Sequence, residues 1–121
     1  MTERPEPSEP HPWRPMSDPV DVMHLAKLAE EVCECGSALA RCLMQGIDER
    51  HPMSGKLNRE WLEDEIADVI ANIELVVTRF DLKTDRIAAR CAGKMVQLRA
   101  WHATATVKAV DRILNEDHGR R

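Results

Sequence analysis

The sequence predicts an all-α fold, an antiparallel helical bundle of three to four helices completed by homo-oligomerisation. Three observations carry that prediction. Apolar residues recur at alternating spacings of three and four along most of the chain, caps and breakers fall where those runs begin and end, and strand signals are weak. There is no Tyr, one Phe and no alternating run bounded by turns.

The opening "MTERPEPSEPHPWRPMSDP" holds six of the seven prolines and little that packs, so residues 1–18 read as a Pro-rich arm with Trp13 its only anchor. Residues 19–121 form the expected helical domain. Asp18 suits an N-cap and Pro19 the first helical position, where no backbone donor is needed. A first helix then runs from about Pro19 to Gln45, with Leu25, Leu28, Val32, Cys35, Leu39 and Cys42 as its seam, and stops at Gly46. "GIDERHPMSGKLN" is a polar connection broken by Pro52 and Gly55. The second helix spans about Asn58, read as its cap, to Phe80, with Leu62, Ile66, Val69, Ile73, Val76 and Phe80 as its seam. A third is expected from Thr84 to about Arg99, with Ile87, Cys91 and Leu98 inward. A fourth follows from about Thr104 to Asn115, showing Val107, Val110 and Leu114. The helices are too apolar and too few for a closed single-chain core, which points to a homodimer or homotetramer.

Composition excludes several roles. A chain of 121 residues suits one domain, and a net charge of -4 offers no basic field to a nucleic-acid backbone. No apolar run approaches the roughly 18 residues of a membrane span, and the charged-then-apolar order of a signal peptide is missing at the N-terminus. Cys33 and Cys42, nine residues apart, fall on opposite faces of one helix and suit neither a shared metal nor a disulfide. Packing cysteines in a soluble, cytoplasmic protein are the expectation.

Acids beside the seams draw attention by phase rather than by number. In the first helix Glu31 and Glu34 belong to the row His24, Lys27, Glu31, Glu34, Ala38, Arg41, immediately beside the apolar seam. In the second, Glu65 and Asp68 belong to the row Trp61, Glu65, Asp68, Asn72, displaced in the same sense. Antiparallel helices meeting at those seams bring both pairs into one half-buried pocket. Four carboxylates there repel one another and lose hydration unless cations neutralise them. Oxygen-only ligands select Mg²⁺, or Mn²⁺, over zinc, and the Glu-x-x-His pairs of a carboxylate di-iron site do not occur. The other reading of the same acids is a solvated flank with i,i+4 partners such as Lys27 and Glu31. Trp61 and Asn72, one turn either side of the second acid pair, read as contacts to a base or ribose, or as packing.

The spelling "EEVCE" followed by "EIAD" resembles the MazG-like all-α nucleoside triphosphate pyrophosphohydrolases, whose signature is Glu-Glu-x-x-Glu and then Glu-x-x-Asp. The resemblance covers about Leu25 to Trp101. It implies that Glu31, Glu34, Glu65 and Asp68 ligate Mg²⁺, with Glu30 a further member of the cluster. "KMVQLRAW" resembles the family's basic segment, which assigns Lys94 and Arg99 to the substrate phosphates, with Gln97 or Leu98 where the family often carries Asn. The implied activity is cleavage of (d)NTPs between the α and β phosphates, giving (d)NMP and pyrophosphate, as nucleotide-pool housekeeping. The runners-up are phosphoribosyl-ATP pyrophosphohydrolase and a non-catalytic helical interaction module.

Overall fold

The structure, a computed structural model, describes residues 12–119. Most of the expected N-terminal arm, residues 1–11, lies outside the described residues, as do the last two. Residues 12–18 carry no helix or strand, and Trp13 is 96% exposed. Three helices follow: α1 (Pro19–Gln45), α2 (Asn58–Arg79) and α3 (Thr84–Gly119). The chain divides between Leu82 and Lys83 into two units, a helical hairpin and the long α3. Among the described residues there is no strand, only an isolated antiparallel bridge between Arg50 and Leu57. No helix among them is long and apolar enough to cross a membrane.

α1 begins where its capping chemistry dictates. The Asp18 carboxylate accepts hydrogen bonds from the backbone N–H groups of Val20 at 2.8 Å and Asp21 at 3.1 Å, satisfying two donors that the first turn leaves unpaired. The helix stops at Gly46, whose φ of 104° lies in a region that side chains avoid. A Cβ there would also sit 3.0 Å from Cγ of Glu49.

Ion pairs and hydrogen bonds fix α1 and α2 antiparallel at both ends. At one end the Arg79 guanidinium donates to Asp21 at 2.7 Å and lies 3.6 Å from Asp18. At the other, Asn58 is buried to 1% exposure, and its amide donates to the Gly46 carbonyl at 2.9 Å and to the Gln45 side chain at 3.3 Å. Asn58 is therefore not the cap of α2. Leu57 holds that position without a side-chain bond, because the Asn58 amide is committed to tying the two helices together across the connection. Within that connection the Asp48 carboxylate accepts from Arg59 at 2.9 Å, and the Glu49 carbonyl accepts the Asn58 N–H at 2.9 Å.

The packing face of each helix is turned from its expected seam. On α1 the inward positions are Leu28, Glu31, Cys35, Ala38 and Cys42, while Val32 (52% exposed) and Leu39 face out. On α2 they are Asn58, Trp61, Leu62, Glu65, Val69, Asn72 and Val76, followed by the C-cap Phe80, with Ile66 and Ile73 outside. Each helix has rotated by roughly 50° toward its acid row. Glu31 and Glu65 thus stand in the hairpin seam rather than beside it, next to the small, buried Ala38.

α3 corrects the expectation of two helices. It runs unbroken for 36 residues, about 54 Å. A new helix was expected to begin near Thr104, but no Gly or Pro breaker stands between Arg99 and Thr104 to end the old one. Instead the Thr104 hydroxyl donates to the Ala100 carbonyl at 3.1 Å and the Thr106 hydroxyl to that of His102 at 2.8 Å, so both are satisfied inside the helix. None of its residues is buried, so Ile87, Cys91 and Leu98 do not form an enclosed face. Cys33 is exposed as well, so neither it nor Cys91 packs within this chain.

The cap carries a pH dependence. Two backbone N–H donors hold the Asp18 carboxyl below its usual 3.8, with a smaller contribution from the Arg79 charge. A depressed carboxyl contributes stability above its unfolded pKa, and that contribution is lost as pH falls through the folded value. Asp18→Asn, which keeps an acceptor but removes the charge, should melt a few degrees below the native chain at pH 7. The gap should close below pH 3.8; thermal denaturation followed by circular dichroism across that range checks both.

Candidate metal and phosphate site

The hairpin seam gathers the expected acids from the two helices. Carboxylate oxygens of Glu31, Glu65 and Asp68 all lie within 4.8 Å of one another, and so do those of Glu30, Glu31 and Glu34. Glu31 belongs to both groups and is their buried member, at 6% exposure. Glu65 is half-buried, whereas Glu30, Glu34 and Asp68 are exposed. The helical spacing of three residues places Glu31 with Glu34, and Glu65 with Asp68, on neighbouring turns.

These carboxylates are incompletely satisfied. Lys27 lies 3.0 Å from one Glu31 oxygen and 3.4 Å from Glu30, and both acids raise the Lys27 pKa. This is the i,i+4 pairing of a solvated flank, but it accounts for only one oxygen of Glu31. Glu31 Oε2 and Glu65 Oε2 are buried with no hydrogen-bond partner. A buried acceptor without a donor or cation is costly, and two within one acid group call for a positive charge. Glu34 registers the same crowding: the Glu31 charge chiefly, then lost hydration and the charges of Glu65 and Glu30, push its carboxyl above the usual 4.5.

The donor set fits a hard divalent cation. Every member of both groups is a carboxylate and none is His or Cys, which suits Mg²⁺ or Mn²⁺. Two orphaned oxygens from different helices supply the acceptors that such an ion requires.

Beside the acids lies a pocket of about 170 Å³ lined by Glu34, Ser37, Ala38, Arg41, Trp61 and Glu65. A larger groove of about 560 Å³, lined by residues including His24, Leu75 and Arg79, contains none of the clustered acids. The Trp61 ring is already in contact with other side chains, chiefly the Arg41 guanidinium, whose carbon lies 4.3 Å from the ring centroid. Asn72 follows Asp68 by one turn, but its amide donates to the Asp68 carbonyl at 2.8 Å, which ties it to its own helix. Lys94 and Arg99 are exposed on α3, five residues apart and so about 140° around the helix, which places them on different faces. Arg41 and Ser37 were not among the expected site residues. Arg41 nevertheless ends the acid row of α1, two turns after Glu34, and that phase was the available signal.

Comparison with protein-family models, with curated proteins and with solved structures finds no match to this chain. The functional reading therefore rests on the residues and their geometry.

A divalent cation should bind and stabilise the hairpin. With EDTA present, Glu31→Gln should melt no lower than the native chain, because it removes a buried charge from a repulsive group. Millimolar Mg²⁺ should raise the native melting temperature saturably by several degrees, as a ligand specific to the folded state does, and leave Glu31→Gln unmoved. A native chain indifferent to both Mg²⁺ and Mn²⁺ would count against the site.

Proposed function

We propose that the chain is a Mg²⁺-dependent nucleoside triphosphate pyrophosphohydrolase. The observation that carries this reading is the pair of buried, unpartnered carboxylate oxygens of Glu31 and Glu65 inside a cross-helix acid group. The order Glu-Glu-x-x-Glu and then Glu-x-x-Asp supports it through the resemblance already described.

Glu31, Glu34, Glu65 and Asp68 would hold the cation. When bound, Mg²⁺ supplies charge neutralisation for the phosphates and lowers the pKa of a coordinated water. The reaction adds a water oxygen to the α-phosphorus and breaks its bond to the α–β bridging oxygen. The products are a nucleoside monophosphate and pyrophosphate, with a proton released. The chain's own contribution is positional. α1 and α2 are clamped at both ends by Arg79 and Asn58, which keeps the carboxylates of the two helices in register during the displacement. Lys94 and Arg99 are the basic side chains that the resemblance assigns to the phosphates. Nucleotide-pool housekeeping is the corresponding biological role.

Homo-oligomerisation belongs to the same proposal. The turn of α1 and α2 leaves Val32, Leu39, Ile66, Ile70 and Ile73 exposed on the hairpin, and α3 buries none of its apolar residues. A second copy of the chain, self-complementary about a two-fold axis, would cover such surfaces. Light scattering should return two or four times the 13.8 kDa chain mass. Ile73→Glu should shift the distribution toward the single chain, and a monomeric native protein at micromolar concentration would remove this part of the proposal.

Activity is tested with a panel of NTPs, dNTPs and phosphoribosyl-ATP, scored for pyrophosphate with and without Mg²⁺. Pyrophosphate release should require the metal and fall by more than about 100-fold in Glu65→Gln. Turnover that survives that change places the chemistry elsewhere. Absence of turnover on the whole panel favours a helical interaction module.

A further inference from the structure

The surroundings of Trp61 change what that residue is for. Three nitrogenous side chains meet its ring: the Arg41 guanidinium at 4.3 Å, Lys56 Nζ at 5.3 Å, and the His51 ring edge-on at 5.3 Å and 81°. Two of these have other commitments. Lys56 is paired with Asp64 at 2.6 Å. His51 Nδ1 accepts the backbone N–H groups of Met53 at 3.3 Å and Ser54 at 3.2 Å.

Arg41 is different. Glu34 and Glu65 line the same pocket, yet among the described residues the guanidinium is paired with no carboxylate, and its partner is the indole. A cation–π contact holds a guanidinium without using its N–H groups on a carboxylate, so they remain available as donors. Helical side chains lean toward the N-terminal end of their helix, which carries Arg41 back over Ser37 toward Glu34. The pocket of about 170 Å³ is small beside the roughly 300–1,000 Å³ typical of sites for whole organic ligands, and it suits phosphate groups better than a complete nucleotide.

We propose that Arg41 binds the phosphate chain in this pocket and that Trp61 is its positioning residue rather than a stacking platform for the base. The inference rests on the pyrophosphohydrolase reading and adds to it a phosphate contact supplied by α1 itself. With the acids neutralised by their cation, Arg41 is the uncommitted positive charge facing the pocket, and the Ser37 hydroxyl adds a donor one turn away. A guanidinium held against an indole, with no carboxylate partner, keeps its planar fork of donors for paired contacts to two phosphate oxygens.

The probe is inorganic tripolyphosphate, which has no base, titrated calorimetrically into the full chain with Mg²⁺ present. Arg41→Gln should weaken binding by about 10- to 100-fold, and Arg41→Lys should recover part of the loss. Trp61→Leu should weaken tripolyphosphate and all nucleotides by the same factor, whereas Trp61→Phe, which retains a ring under the guanidinium, should stay near native. Each variant should keep the native Mg²⁺-induced rise in melting temperature, which shows that the fold and the acid group are intact. Native affinity for tripolyphosphate in Arg41→Gln would overturn the inference and leave the pyrophosphohydrolase reading standing. A Trp61→Leu variant altered only in its preference among bases would overturn the positioning role. Weakened tripolyphosphate binding in Arg41→Gln, with no nucleotide turnover by the native chain, would uphold Arg41 as a phosphate ligand and sink the pyrophosphohydrolase reading. A native chain that binds no tripolyphosphate sinks both.

Discussion

The Glu31 carboxylate, buried in the hairpin seam with one oxygen unpartnered, is the constraint around which the rest of this structure is arranged. Its Oε2 is buried, Lys27 reaches only the other oxygen, and the neighbouring carboxylates across the hairpin are those of half-buried Glu65 and exposed Asp68. An arrangement of that kind works against the fold in the absence of a counter-charge. Its persistence depends on features that are indifferent to the acids. The Arg79 pairs with Asp18 and Asp21 hold one end of the hairpin, and the Asn58 amide bonded to Gly46 and Gln45 holds the other. Between those clamps α1 and α2 have little freedom to rotate the acids out to solvent.

That rotation has consequences on the opposite flank. Turning the helices toward the acid rows brings Val32, Leu39, Ile66 and Ile73 to the surface, so Glu31, Glu65 and Asn72 share the hairpin seam with Leu28, Val69 and Val76. Two packed helices bury only a narrow stripe in any case. The apolar surfaces that the hairpin leaves open are the ones the proposed oligomer would bury. The proposed metal site and the proposed oligomer are two sides of one orientation of the helices.

The segments were legible with little error. Asp18, Pro19 and Gly46 bounded α1 because capping and left-handed backbone geometry are local, and their chemistry depends on neighbours in the sequence. Between Arg99 and Thr104 the same kind of evidence misled. Lowered helix propensity is a weak, additive penalty, and a hydroxyl that bonds back to a carbonyl four residues earlier removes the reason to stop. Asn58 misled in another way: its residue type fitted a cap, but its amide found tertiary partners across the connection.

For the candidate site, the sequence by itself determined which carboxylates share a helical row, since a period of 3.6 residues leaves no freedom in that grouping. It also placed Arg41 on the row of Glu31 and Glu34. Only the tertiary structure decided that Glu31 is buried while Glu34 and Asp68 are exposed, and that Trp61 lies under a guanidinium. The reason is physical. Phase along a helix is fixed by backbone geometry, whereas burial depends on how two helices turn toward each other, and that turn is set at their ends by Arg79 and Asn58, far in sequence from the partners they hold.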